Sequence, residues 1–104
     1  MSEVRVCAVS DVAAGAKACF LADGAKVCVV HLDDDWYAID DTCSHEDYSL
    51  SEGELWADER EIECWKHGST FSLLTGEPQS LPAMRAVPVY PVRVDGDDVI
   101  VTVP

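Results

Sequence analysis

Short apolar runs separated by polar turns predict a chain built of β-strands. Strands are predicted at 4–9, where β-forming residues alternate loosely with others, at 17–21, and at 26–32, which is rich in valine. An Asp-Gly pair at 23–24 lies between the second run and the third, and this dipeptide is a strong signal for a two-residue hairpin turn. The second and third strands should therefore pair. A fourth strand is predicted over 36–39.

The C-terminal part continues this pattern with a strand that contains prolines. Residues 87–94 include Pro88 and Pro91, which predicts an edge position or a bulge because proline lacks a ladder donor. A second Asp-Gly turn, at 95–96, leads into an apolar strand over 99–103. Since no segment has a sustained helical stripe, we expect an all-β sandwich or partly open barrel.

The stretch between these strand groups has a different pattern. Residues 41–84 contain short apolar runs, at 62–65 and 71–74, between polar turns. We interpret 41–84 as a subdomain inserted into a base formed by residues 1–40 and 85–104. With 104 residues in all, the chain is predicted to be a single domain.

Two runs that mix Cys and His lie in this inserted stretch. Cys43 and His45 form the first run, and Cys64 and His67, followed by Gly68, form the second. Thiolates select zinc or iron-sulfur clusters, and imidazole suits both zinc and iron. Cys2His2 zinc sites tend to take a Cys pair from one turn and a His pair from a helix. In Rieske centres, two His replace two Cys on one of two irons. Mixed runs favour the second kind of site, and zinc remains the alternative.

The motif resembles the Rieske ferredoxin family over nearly the whole chain. The residues that carry the resemblance are Cys43, His45, Cys64, His67, Gly68 and the later Leu81-Pro82-Ala83 segment. The resemblance implies one Rieske-type 2Fe-2S cluster per chain, with the two Cys on one iron and the two His on the other. In the family a proline segment forms a third loop that covers the cluster, and Pro82 is its best match here.

Residues near the ligands bear on the reduction potential. High-potential Rieske proteins of respiratory complexes resemble this chain around the ligands but carry an extra Cys in each loop, and the two form a disulfide. The corresponding positions here look like Tyr48 and Lys66, so no such disulfide can form. The high-potential proteins also have a Ser and a Tyr that donate hydrogen bonds to cluster sulfur. This chain keeps the serine as Ser69, which either donates to cluster sulfur or makes a hydrogen bond within its loop. It has Phe71 in place of the tyrosine, and phenylalanine has no donor. We expect a potential of about -150 to 0 mV.

The net charge of -13 narrows the range of partners. It argues against nucleic acid and against anionic membranes, both of which such a surface repels. Ten of the twenty acids lie between Asp40 and Glu63, with Arg60 as the single base among them. This acidic stretch is either a solvated face or a field that steers docking to a basic partner. No apolar run is long enough to cross a bilayer, and a cytoplasmic protein is expected.

The remaining candidate residues have structural interpretations. Cys7, Cys19 and Cys28 lie in apolar runs and are expected to be buried reduced thiols. His31 has no Cys or carboxylate at ligand spacing, so we expect it to be structural or surface-facing. Packing roles are expected for the tryptophans, Trp36, Trp56 and Trp65, of which the last has cluster shielding or partner contact as alternatives.

The resemblance implies a one-electron carrier. It would pass electrons from a flavin-dependent, NAD(P)H-oxidising reductase to the terminal oxygenase of a ring-hydroxylating dioxygenase. No nucleophile-base pair or phosphate loop is evident, so we expect a component of an oxidoreductase system, not a complete enzyme. A Rieske protein of an iron-sulfur assembly or nitrite reductase system and a zinc-stabilised binding module are the alternatives. We expect a monomer, because no long apolar edge requires a second copy.

Overall fold

The computed structural model describes residues 2–42, 49–65, 68–79 and 85–104. These residues form ten strands in three antiparallel sheets and two single-turn 3-10 helices, at Val9–Asp11 and Leu50–Glu52. The strands are β1 (Ser2–Ala8), β2 (Ala16–Ala22), β3 (Ala25–Leu32), β4 (Asp35–Asp40), β5 (Leu55–Trp56), β6 (Glu61–Glu63), β7 (Thr70–Ser72), β8 (Val89–Tyr90), β9 (Val92–Asp95) and β10 (Asp98–Val103). The predicted all-β fold is confirmed. No helix in the described ranges has the length and apolar character needed to cross a bilayer.

The base consists of two of these sheets, with strand orders β1-β10-β9 and β2-β3-β4-β8. At the turn between β2 and β3, Asp23 and Gly24 have φ values of 51° and 87°. Two successive positive values are what a type I′ hairpin turn requires. The predicted pairing of the second and third strands is confirmed, and Ala22 lies opposite Ala25 at the turn end.

The proline-containing run is two strands, so our prediction of one strand over 87–94 was wrong. The break falls at Pro91, whose ring fixes φ and whose nitrogen cannot join a ladder. β8 pairs with β4 at one edge of the four-stranded sheet, and β9 pairs with β10 at an edge of the other sheet. The expected edge position is confirmed, and the chain changes sheet at the proline.

Two hydrophobic cores lie on opposite faces of β3. We call the cluster between the two base sheets the base core; it consists of Cys7, Val12, Ala22, Val27, Val29, Ala38, Val99, Val101 and Val103. We call the cluster on the other face the interface core; it consists of Cys28, Val30, Leu32, Ile39, Leu50, Ile62, Cys64, Phe71, Leu73 and Val87. Because β3 is covered on both faces, its residues 27–30 are all buried.

The third sheet, β5-β6-β7, lies in the stretch interpreted as the inserted subdomain. β5 was not predicted, and its two residues are too few for an alternating pattern to show. Ile62 of β6 and Phe71 of β7 face each other across the ladder and belong to the interface core. The sheet thus packs on the base through side chains shared with β3 and β4.

Four side chains outside the metal motif can be compared with their expected environments. Cys7 and Cys28 are buried, as predicted, but Cys19 is exposed, so that prediction was wrong. β2 is an edge strand, and an apolar run in an edge strand still leaves part of one face open. His31 has the expected structural role: its Nδ1 lies 2.9 Å from the Val12 carbonyl oxygen, and its ring stacks on Trp36.

Candidate metal centre

The structure describes one of the four predicted ligands, Cys64, and two of the three neighbouring residues, Gly68 and Ser69. The predictions for Cys43, His45, His67 and Pro82 fall outside the described residues. Within the described ranges, no three or more His, Cys, Asp or Glu side chains group closely enough to hold a metal ion. The described part of the site therefore consists of Cys64 and the segments that flank the other three predicted ligands.

The second ligand loop is the connection of the β6-β7 hairpin. Glu63 pairs with Thr70 at the end of the ladder, and one step further Cys64 N donates to the Ser69 carbonyl oxygen at 2.7 Å. Gly68 N donates back to the Cys64 carbonyl oxygen at 2.9 Å, with Gly68 at φ 75°. A residue with a side chain rarely adopts that φ, which explains the glycine directly after the last predicted ligand. The loop that contains the second Cys and His is thus closed at its base.

Cys64 and Ser69 are both fully buried at the base of this loop, at 0% exposure. The Cys64 thiol belongs to the interface core, so its strand is fixed by packing as well as by the hairpin ladder. A thiol that is buried, yet placed at the first position of a loop, suits a metal ligand that must be held rigidly. The arrangement therefore fits the predicted role of Cys64.

Gly53 supports the same loop from below. A Cβ at Gly53 would lie 1.6 Å from the Glu63 carbonyl oxygen and 3.2 Å from Trp65 N. The φ of Gly53 is -85°, so the requirement for glycine comes from this close approach and not from backbone conformation. Gly53, which directly follows the 3-10 helix, is therefore packed against backbone atoms of the residues on either side of Cys64.

Asp41 anchors the flanks of the first ligand loop. Its side chain is 3% exposed, and its carboxylate accepts hydrogen bonds from the Ser49 hydroxyl and from Ser51 N. Thr42 and Ser49 form an antiparallel bridge. These two residues flank 43–48, the segment with the first predicted Cys and His, and they are held opposite each other. The buried carboxylate is what closes this loop at its base.

The proline segment also has well-defined flanks. Gln79 N donates to the Thr70 carbonyl oxygen at 2.7 Å, so the chain lies beside the second ligand loop just before 80–84. After that segment, Val87 N donates to the Gly76 carbonyl oxygen at 2.9 Å. A Cβ at Gly76 would lie 1.9 Å from the Val87 carbonyl oxygen, so this return is as tightly packed as the contact at Gly53.

These contacts connect the flanks of all three segments. Leu50, next to the Asp41 anchor, shares the interface core with Cys64. Gly53 contacts Glu63, which pairs with Thr70, and Thr70 holds Gln79. The first ligand loop, the second ligand loop and the proline segment therefore extend from one continuous scaffold.

The surroundings of this scaffold are exposed and acidic. Trp65, directly after the Cys64 ligand position, is 48% exposed, so the expected packing role was wrong for much of its ring. Trp56, at 41% exposure, differs from its expected role in the same way. The exposed acids of the scaffold are Glu52, Glu54, Asp58 and Glu59. Arg60 forms ion pairs with Asp33 at 3.1 Å and with Asp35 at 3.6 Å, so it does not neutralise these four exposed acids.

Sequence reasoning did not find Asp41 or Gly53. Asp41 was counted among the solvated acids, although its carboxylate is buried. The nearby Ser49 and Ser51 were a weak signal, because hydroxyls and backbone amides near an Asp are common in exposed turns as well. Gly53 followed a polar turn, and no sequence pattern identifies which strand approaches a glycine.

Comparison with known proteins agrees with this geometry. Residues 2–91 match the family model for the Rieske [2Fe-2S] domain. The ferredoxin subunit of 3-phenylpropionate/cinnamic acid dioxygenase from Escherichia coli (strain K12) is 36% identical over 104 residues, which cover 100% of this chain and 96% of that protein.

Solved structures give the same result. The ferredoxin of carbazole 1,9a-dioxygenase from Nocardioides aromaticivorans IC177 is 38% identical, with a TM-score of 0.93 over 97% of each chain. A complex of reduced oxygenase and oxidized ferredoxin in carbazole 1,9a-dioxygenase contains a chain that is 39% identical, with a TM-score of 0.86 over 95% of this chain and 91% of that chain.

The fold and the family match define an iron-sulfur electron-transfer protein. The chain belongs to the Rieske family, whose cofactor is a 2Fe-2S cluster. The predicted family is confirmed, and so is the prediction of an electron-transfer component without a catalytic site of its own, since the relatives are ferredoxin subunits of dioxygenase systems.

Proposed function

We propose that this chain is the ferredoxin of a ring-hydroxylating dioxygenase system. It accepts single electrons from a flavin-dependent, NAD(P)H-oxidising reductase and delivers them to a terminal oxygenase. The observation that carries the proposal is the common scaffold of the two ligand loops and the proline segment, centred on buried Cys64. Relatives at 36% and 38% identity that are dioxygenase ferredoxins favour this role over iron-sulfur assembly, nitrite reduction or zinc binding.

In this proposal one 2Fe-2S cluster is held per chain by Cys43, His45, Cys64 and His67. The cluster supplies a one-electron redox couple when bound, and the protein sets its potential through ligands, hydrogen bonds and solvent exposure. Cys64 supplies a thiolate from a packed hairpin end, and Asp41 closes the loop of the first ligand pair. The subdomain 41–84 then carries every ligand, and the base supports it through the interface core.

The residues next to the ligands complete the proposed site. Gly68 allows the turn after His67 through its φ of 75°. Pro82 is proposed to belong to a covering loop, and Gln79, just before its segment, is bonded to Thr70 at the end of the second ligand loop. Ser69 is buried directly at the base of that loop and is proposed to tune the cluster. Phe71 is fully buried in the interface core and offers no donor.

The proposed partners follow from charge as well as from relatives. One solved relative is a ferredoxin in complex with the oxygenase of carbazole 1,9a-dioxygenase. The four exposed acids beside the loops give this chain a negative surface, which steers association with a basic patch on a partner. We propose a cytoplasmic monomer that binds neither nucleic acid nor membranes and meets its reductase and oxygenase transiently.

Metal analysis tests the cofactor and its ligands together. Purified holoprotein should contain two iron atoms and two acid-labile sulfides per chain and show a Rieske-type resonance spectrum when reduced. Cys64→Ser should abolish cluster binding. Cys7→Ser is the matched control, because Cys7 is also a buried thiol but belongs to the base core. A single zinc per chain, or full cluster content in Cys64→Ser, would refute the ligand set.

Electron transfer is tested by mixing. The holoprotein is incubated with NADH and a catalytic amount of a dioxygenase reductase, and bleaching of the cluster absorbance is followed. The reduced protein is then mixed with a terminal oxygenase, which should restore the absorbance. A redox titration should give about -150 to 0 mV, with Ser69→Ala lower than the parent protein. A potential above about +200 mV would contradict the predicted potential, and failure with every reductase would favour the iron-sulfur assembly alternative.

A further inference from the structure

Two thiols of the base face each other across neighbouring strands. Cys19 of β2 lies directly opposite Cys28 of β3 in the antiparallel register. Directly opposed residues of two antiparallel strands point to the same face of the sheet, so both side chains lie on the interface-core face. Neither residue belongs to the ligand motif, and Cys7, the other thiol of the base, lies in the opposite core.

The hydrogen-bond pattern shows which type of antiparallel pair Cys19 and Cys28 form. Asp41 N donates to the Lys26 carbonyl oxygen, so the backbone groups of Lys26, and of Cys28 two residues on, point towards β4. The Cys19 and Cys28 pair is therefore a non-hydrogen-bonded pair, for which the Cα atoms lie about 4.5 Å apart. That separation is within the range of about 4.4 to 6.8 Å that a disulfide requires.

We propose that Cys19 and Cys28 are a thiol-disulfide site that closes to a cross-strand disulfide by exchange with a low-molecular-weight disulfide. Cys19, which is exposed, attacks one sulfur of the small disulfide, and the other sulfur leaves as a thiolate. Cys28, which is buried behind it, then attacks the Cys19 sulfur and releases the second small thiolate. The two thiol protons end on the two released thiols, so the exchange needs no other oxidant.

The surroundings make this exchange slow at neutral pH. Burial, followed by the carboxylate of Asp41, raises the pKa of the Cys19 thiol to about 11. Burial raises the pKa of the Cys28 thiol still further. The charged groups that act on the pair are Asp41, Asp40, Lys26 and Lys17. The thiolate is the attacking form. At pH values below the pKa of Cys19, the rate of disulfide closure should therefore increase about tenfold for each unit by which the pH is raised.

The test uses the holoprotein and glutathione disulfide. After incubation at about pH 7.5 and 8.5, free thiols are alkylated and the protein is digested with trypsin without reduction. Cleavage after Lys26 separates the two cysteines, so a disulfide would join the peptides 18–26 and 27–60. A second cleavage in the acidic turn 33–35 separates Cys28 from Cys43. We expect the cross-linked pair, about tenfold faster formation at the higher pH, and unchanged cluster absorbance.

Two variants sharpen the result. Cys19→Ser should abolish the cross-link without affecting the fold, because Cys19 is exposed at a sheet edge. Cys7→Ser should form the cross-link at the parent rate, because Cys7 lies on the other face of β3. A stable glutathione adduct on Cys19 with Cys28 still free would overturn the proposal. So would a cross-link from either residue to a ligand cysteine, or no reaction at both pH values.

Discussion

The base and the proposed cluster-binding subdomain are held together in different ways. β3 and β10 of the base have eight and six residues, whereas β5 has two and β6 and β7 have three each. The long strands are stabilised by repeated ladder bonds and alternating burial, as in the pattern of β10, where every second side chain is buried. Strands of two or three residues cannot be stabilised in that way.

The subdomain is stabilised by a few individual contacts and not by repeated ladder hydrogen bonds. Its scaffold depends on a glycine with no room for a Cβ, a buried carboxylate and a few backbone hydrogen bonds, centred on Gly53, Asp41 and Cys64. The base should therefore tolerate small changes gradually, whereas the subdomain should fail at specific positions. Because the proposed ligands lie in this part of the chain, loss of the cluster should accompany such failures.

Gly53→Ala should have the largest effect. Its Cβ would overlap the Glu63 carbonyl oxygen at 1.6 Å, and this oxygen is a backbone atom that cannot rotate away. We expect a loss of about 4 kcal/mol or more in the free energy of unfolding, together with loss of iron. Urea unfolding and iron analysis of the purified protein measure the two effects.

Gly15→Ala in the base is the matched control for that substitution. Gly15 has φ 86°, so a side chain is strained there, but nothing lies within 4 Å of its Cβ position. We expect about 1 kcal/mol of destabilisation with full iron content. If Gly53→Ala behaved like Gly15→Ala, the tight contact beneath Cys64 would not support the loop as described.

The sequence predicted the base well and the subdomain less well for the same reason. Strand periodicity and Asp-Gly turns are local signals, and they placed β1 to β4 and β10 correctly. The Cys and His motif is local too, which is why Cys64 could be predicted as a ligand. The roles of Gly53 and Asp41 arise from close contacts between different segments of the chain. A local sequence pattern contains no information on such contacts.

The exposure of Cys19 was missed for a related reason. The apolar residues around it predict a strand, but they do not tell whether that strand lies at the centre or at the edge of a sheet. The break at Pro91 illustrates the converse, since proline restricts the backbone locally and correctly predicted an edge. What could not be read from the chain was that the two halves of the run join different sheets.

Val29 and Val30 allow the two cores to be compared on one strand. The two residues are adjacent in β3, and each has 0% exposure. Val29 faces the base core, whereas Val30 faces the interface core. Replacing either with Ala should cost about 2 kcal/mol in the free energy of unfolding, because each removes two buried carbons and leaves a cavity. Iron release into a chelator should be faster for Val30→Ala alone. Equal release rates would mean that the base core supports the ligands as much as the interface core does.

Asp41→Asn should have a smaller effect, confined to the first ligand loop. The side chain keeps its size but loses one acceptor oxygen that faces Ser49 or Ser51, and a buried donor is left without a partner. We expect a loss of about 1 to 2 kcal/mol in the free energy of unfolding and faster iron release. Asp58→Asn, at an exposed acid of the same acidic stretch, should change neither quantity. If Asp58→Asn released iron as fast, the effect would come from net charge and not from the loop anchor.

Arg5→Ala should have the smallest effect, although Arg5 makes one of the shortest ion pairs of the base. Its Nε lies 2.8 Å from the Asp98 carboxylate and joins β1 to β10, yet both side chains are about half exposed. Water and salt screen such a pair, and ordering two exposed side chains offsets much of the attraction. The midpoint of urea unfolding and the iron content should both stay within measurement error of the parent protein, at low and at high salt. A clear loss at low salt alone would show that the edge of the base depends on a single contact, as the subdomain does, and that ladder repetition is not sufficient to stabilise it.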